Sequence, residues 1–93
     1  MTLRQRMAEL LQSGWFTLRE LSQELGIRER EALGHLEHVA RSTRSGNPLR
    51  VEHSRCQSCG FHFRKRMRFS APSRCPRCRS ERVTPPRFTL VPG

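Results

Sequence analysis

Apolar residues recur at helical spacing through the first forty positions and at every second position in parts of the remainder, and this change of period divides the chain. Leu3, Met7, Leu10 and Leu11 fall at i, i+4, i+7 and i+8, which predicts an amphipathic helix over residues 2–12. Thr2 and Gln5 have the spacing of a capping box, and Gly14 ends the element. A second helix opens at Thr17, with Glu20 completing another capping box and Phe16 placed to pack on Leu21. Its inward stripe is Leu18, Leu21 and Leu25. Gly26 then supplies a left-handed turn residue, Ile27 fills the corner, and a third helix runs from about Arg28 to Arg41. Its buried stripe is expected at Leu33, Leu36 and Ala40, flanked by Val39. A helix, a short turn with Gly and a second helix make the helix-turn-helix pattern, carried here by TLRELSQELGIRERE.

Ser45-Gly46-Asn47-Pro48 breaks the helical period. Beyond it Leu49, Val51 and His53 alternate with Arg50 and Glu52, as in a half-buried strand. Phe61 and Phe63 alternate with His62 and Arg64 in a second strand. Phe88 and Leu90 alternate with Arg87, Thr89 and Val91 in a third, after Pro85-Pro86. The first of these strands runs straight into a cysteine segment and the last follows it. Pairing 49–53 with 87–91 would therefore close a hairpin around everything between them.

The cysteines read C-x2-C-x15-C-x2-C at Cys56, Cys59, Cys75 and Cys78, the spacing of a zinc ribbon. Two intervening residues let a tight turn aim two sulfurs at one ion, and zinc accepts four thiolates tetrahedrally. Gly60, directly after Cys59, suits that turn, whereas Arg79 stands at the matching place after Cys78, so the second knuckle is expected to be less regular. Few apolar residues surround the cysteines, mainly Phe61, Phe63, Met67 and Phe69, so one structural Zn2+ per chain must supply the missing stability. The phenylalanines and Met67 share an odd-numbered spacing that places them on one buried strand face rather than as base-stacking residues. His53 and His62 read as strand residues and His35 and His38 as helix-surface residues, since four cysteines already complete the site. The expected fold class is α+β: a three-helix (winged) helix-turn-helix at residues 1–45, followed at 46–93 by wing strands and a small antiparallel β zinc ribbon.

Charge sharpens the division. The 93-residue chain carries a net +10, but residues 1–40 hold five Arg against six Glu, while 41–93 hold 13 Lys and Arg against Glu52 and Glu81. With zinc and four thiolates counted as −2, the second half keeps about +9, a field suited to a polyanion such as nucleic acid. With Leu33, Leu36 and Ala40 turned inward, Arg30, Gly34, Glu37 and Arg41 line one flank of the third helix, with Glu31 and His38 beyond them toward solvent. The candidate nucleic-acid contacts are Arg30, Gly34, His38 and Arg41 on that helix, and Arg64, Lys65, Arg66 and Arg68 near the tip of a ribbon loop. Gly34 would let the backbone approach DNA. Glu31 and Glu37 oppose phosphate, although Glu accepts a hydrogen bond from cytosine. No run of 18 apolar residues spans a membrane and the N-terminus is charged, so a soluble, cytoplasmic, nucleoid-associated protein is expected.

TLRELSQELGIRERE, SRCQSCGFHF, PSRCPRCRSE and the terminal PRFTL together resemble a family of small prokaryotic, chiefly archaeal, predicted transcriptional regulators in which a helix-turn-helix is fused to a zinc ribbon. The resemblance implies double-stranded DNA binding through the helical half and zinc at the four cysteines. An alternative is an adaptor whose ribbon docks on the transcription machinery or an RNA-containing partner. Iron in the site, for electron transfer, is disfavoured by the basic surface, the short spacing and the helical module. Nickel-delivering chaperones resemble the chain only in the ribbon, and Met1-Thr2-Leu3 lacks the histidine they place there. No Ser/His/Asp or phosphate-loop pattern is present and a closed four-thiolate shell has no open position, so no enzyme and no small-molecule substrate are expected. A homodimer is expected by analogy with helix-turn-helix proteins that read two half-sites.

Overall fold

The computed structural model describes residues 2–42, 48–64 and 69–91. Among these residues the fold is α+β, with three helices and a three-stranded antiparallel sheet. Helix α1 (Leu3–Ser13) starts from Thr2, whose hydroxyl accepts the Gln5 amide while the Gln5 side chain returns to the Thr2 amide. It stops at Gly14, in an extended conformation (φ 165°) that any residue adopts. Strand β1 (Phe16–Thr17) follows, and Thr17 also caps α2 (Leu18–Leu25) through the reciprocal box with Glu20. Gly26 turns left-handed at φ 66°. Its amide donates to Gln23 O and that of Ile27 to Ser22 O, the paired bonds that close a helix of this kind before α3 (Glu29–Ser42) begins.

The α3 stripe is rotated from the expected one. Ala32, Leu36 and Val39 are buried, whereas Leu33 and Ala40 are half-buried on the flank. Both choices are apolar at helical spacing, so pattern alone does not separate them. Fully buried Ala32 is small enough to let the neighbouring helices approach closely. His38 consequently lies half-buried toward α1, where its Nε2 meets an Arg4 guanidinium nitrogen at 3.2 Å. His35 is half-buried as well, so neither is simply a surface residue.

Strands β2 (Leu49–Glu52) and β3 (Arg87–Leu90) pair antiparallel, Leu49 opposite Leu90 and Glu52 opposite Arg87, while β1 pairs on the other side of β3. The 34 residues between β2 and β3 are thus inserted into a hairpin. Phe88 and Leu90 point into the same cluster as Met7, Leu11, Leu21, Leu25, Ala32, Leu36 and Val39. The last strand is therefore part of the helical core. Thr89 Oγ1 adds a 2.7 Å hydrogen bond to Leu11 O. A second cluster consists of Cys56, Phe63 and Cys75, with Phe61 and Val83 against it. Two of its three buried members are cysteines, so among the described residues this unit has almost no core apart from its metal ligands. Phe69 does not join Phe61 and Phe63 on one face. It packs edge-on to Phe88, 5.2 Å between ring centroids, and ties the ribbon to the main core. The expected second strand is reduced to a single bridge between Arg55 and His62. Met67 lies outside the described residues. No helix among the described residues is long and apolar enough to cross a membrane.

A four-cysteine centre and candidate nucleic-acid interface

Two turns of the same construction carry the sulfurs. In the first, the Gly60 amide donates to Cys56 O at 3.0 Å and the Cys56 amide to Phe61 O at 2.8 Å. In the second, the Arg79 amide donates to Cys75 O at 2.8 Å and the Cys75 amide to Ser80 O at 2.9 Å. Each turn ends in a left-handed residue, Gly60 at φ 78° and Arg79 at φ 63°. The second knuckle is therefore as regular as the first, and Arg79 takes a conformation that favours glycine. A 2.9 Å hydrogen bond between Ser58 and Ser80 Oγ atoms links the knuckles. The Cys56–Val83 bridge and the 2.8 Å bond from the Gln57 amide to Arg82 O hold the first knuckle to the returning chain.

All four Sγ atoms lie within 4.8 Å of one another, with Cys56 to Cys78 at 3.5 Å and Cys59 to Cys75 at 3.6 Å. Four sulfurs each about 2.3 Å from a tetrahedral ion stand about 3.8 Å apart, so the spacing fits zinc and is far too long for disulfides. Cys56 and Cys75 are buried, while Cys59 and Cys78 are exposed. The thiol of Cys56 is lowered to about 6, chiefly by the Cys59 backbone amide. The Ser80 amide also favours the Cys78 thiolate, but the neighbouring Cys56 thiol, desolvation, and Cys59 and Cys75 outweigh it and push Cys78 up to about 12. One thiolate is thus easy to form and a cluster of them is not, which is the electrostatic condition a divalent cation relieves. The site is a closed, structural zinc centre.

The DNA-contact residues expected from the sequence are only partly assembled. Arg30, Gly34, Glu37 and Arg41 are all exposed, on the side of α3 opposite Ala32, Leu36 and Val39. His38 is not with them; it is turned toward α1 by its contact with Arg4. Arg64 is exposed on the ribbon, and Lys65, Arg66 and Arg68 lie outside the described residues. Sequence reasoning missed Arg55, an exposed ribbon residue opposite His62, although its alternation with buried Ser54 and Cys56 was a usable signal. It also missed Trp15, 42% exposed and lying under the Arg87 guanidinium at 5.9 Å.

Comparison with known families matches residues 2–50 to "PF0610-like, N-terminal" and residues 53–91 to "PF0610 rubredoxin-like zinc beta-ribbon domain". Among solved structures, the solution NMR structure of protein PF0610 from Pyrococcus furiosus is similar: TM-score 0.80, 32% identity, with 98% of this chain and 90% of that one covered. A comparison with curated proteins found no match.

Proposed function

This chain belongs to the PF0610-like family, and on that footing we propose that it is a DNA-binding transcriptional regulator whose inserted zinc ribbon serves as an enlarged wing. The observation that carries the reading is the outer face of α3. Arg30, Gly34, Glu37 and Arg41 stand free of the core on the second helix of a helix-turn-helix, followed in the chain by a hairpin from which a basic ribbon extends. In such units that helix enters the major groove, and the flanking elements hold the backbone. The ribbon contributes affinity through phosphate contacts, and α3 contributes discrimination through base edges. Glu29 and Glu31 in the first turn of α3 complement the helix dipole, so they have a structural role beside any contact with cytosine. The zinc is structural, no catalysis is assigned to it, and the DNA reading places the protein at the nucleoid.

Selection of bound duplexes from a random pool by zinc-loaded protein tests this reading. Enrichment of a sequence that Arg30→Gln or Arg41→Gln erases supports it; a pool that stays random refutes it. Trp15 favours a second reading, an adaptor for a protein of the transcription machinery, because it is a large apolar side chain left exposed. Under that reading Trp15→Ala abolishes copurification of the partner, and duplex selection yields nothing.

A further inference from the structure

The chain on either side of the first knuckle forms a short antiparallel ladder. The Cys56 amide donates to Phe61 O, Arg55 bridges His62, and the Phe63 amide donates to Ser54 O at 3.0 Å. Side chains along such a ladder alternate between faces. Ser54, Cys56 and Phe63 are buried and Phe61 half-buried, so these four face the metal core. His53, Arg55, His62 and Arg64 are all exposed and share the opposite face, two from each side of the ladder.

These four residues line a groove of about 540 Å3 where the ribbon meets the end of the β2–β3 hairpin. Glu52 and Arg87 line it as well, paired through two contacts, with Arg87 Nε 3.2 Å from Glu52 Oε1. The carboxylate in the groove is thus already neutralised, and among the described residues neither the Arg55 nor the Arg64 guanidinium forms an ion pair. Arg55 is held in place from behind: its amide donates to Thr84 Oγ1 at 2.9 Å, and its carbonyl accepts from the Thr84 amide at 2.9 Å. A fixed backbone carrying unpaired, forked donors is suited to phosphate, which Arg binds through two parallel hydrogen bonds.

We propose that this groove binds the phosphate backbone of a nucleic acid, with Arg55 and Arg64 as the anion contacts and His53 and His62 as additional donors. The inference rests on the nucleic-acid reading above and extends it to a site at the junction of hairpin and ribbon. A strand held there touches both units at once, so binding fixes the angle between them.

The test is binding of zinc-loaded protein to a random-sequence duplex at several salt concentrations. Replacing both Arg55 and Arg64 by Gln lowers the slope of log K against log salt by about 1.8, the value for two lost phosphate contacts. Replacing Arg6 by Gln, on α1 and outside both the groove and the helix-turn-helix, leaves the slope as it is. Zinc retained by each variant in a chelator assay shows that the ribbon is intact. An unchanged slope in the groove variant, or an equal loss in the control, overturns the proposal. Backbone amides at 53–55 and 62–64 shift on adding duplex to the parent; saturation of those shifts by inorganic phosphate alone at submillimolar concentration would instead assign the groove to a free anion. The slope is read on random sequence, so it decides the groove even where selection finds no preferred site and the regulatory reading fails. A parent that binds no duplex at all overturns both.

Discussion

Exchanging Arg79 for glycine is expected to strengthen the zinc centre, against the usual direction for a change beside a metal ligand. Gly60 and Arg79 hold equivalent places after Cys59 and Cys78, with the same pair of hydrogen bonds around them and φ of 78° and 63°. A left-handed backbone costs a residue with a side chain about 1–2 kcal/mol. Glycine relieves this but gives back roughly 0.5–1 kcal/mol in chain entropy. The net gain for Arg79→Gly is then about 0.5–1 kcal/mol, or about two- to fivefold. Zinc binding and folding of the ribbon are one equilibrium, so the gain appears as tighter zinc. The mirror change, Gly60→Ala, is expected to weaken zinc by a similar factor. A Cβ at Gly60 meets no atom within 4 Å, which makes the cost conformational rather than steric. Competition against a chromogenic chelator at fixed pH measures both. Weaker zinc in Arg79→Gly, or no change in either variant, refutes the argument from backbone conformation.

Other expectations follow from the same structure. Chelation of zinc melts the segment from about Ser54 to Thr84, while the amides of the helices and of β2 and β3 remain protected, because Phe88 and Leu90 belong to the helical core; hydrogen exchange resolved by residue checks this. Phe88→Ala removes a fully buried ring at the centre of the sheet and is expected to cost about 3–5 kcal/mol, read from denaturant unfolding of the zinc-loaded form. Zinc affinity falls as pH falls, since protons compete for the sulfurs. Because the zinc-free segment is melted, its thiols are almost all protonated at neutral pH, so calorimetry in buffers of different ionisation enthalpy should count close to four protons released per zinc. Gly34→Ala, on an open face of α3, is expected to stabilise the helix by up to about 1 kcal/mol and to weaken duplex binding, which thermal melts and a binding titration separate.

Where the sequence specifies a local geometry with one or two residues, that geometry is legible in it. Both capping boxes, the Gly26 turn, the zinc ligands and the pairing of 49–52 with 87–90 follow from spacing alone. What escapes is set by tertiary contact. The inward face of α3 depends on whether Ala32 and Val39 or Leu33 and Ala40 meet α1 and α2, and a run that offers apolar residues at both sets of positions does not decide it. Two residues, Phe16 and Thr17, are too few to announce β1, and Thr17 is also spent on capping α2. Phe69 lies at the same parity as Phe61 and Phe63, yet the loop carries it to Phe88. Arg79 shows the opposite failure, since glycine preference predicts irregularity where the hydrogen-bonded turn imposes the left-handed conformation on arginine.

Glu52 and Arg87, the last residue of β2 and the first of β3, are direct cross-strand partners. The ribbon therefore departs and returns across one strand spacing, about 4.8 Å, which is also the gap that a two-residue hairpin turn closes. Seen this way the metal-bearing segment is a graft at the tip of a hairpin, and the host needs only that the graft's two ends lie side by side. Any compact module with adjoining termini could be spliced into the same place, or the segment shortened to a bare turn, without altering the register of the strands below. Phe69 is what keeps the exchange from being free, because its departure uncovers Phe88 and leaves the host with an opening that the replacement must fill.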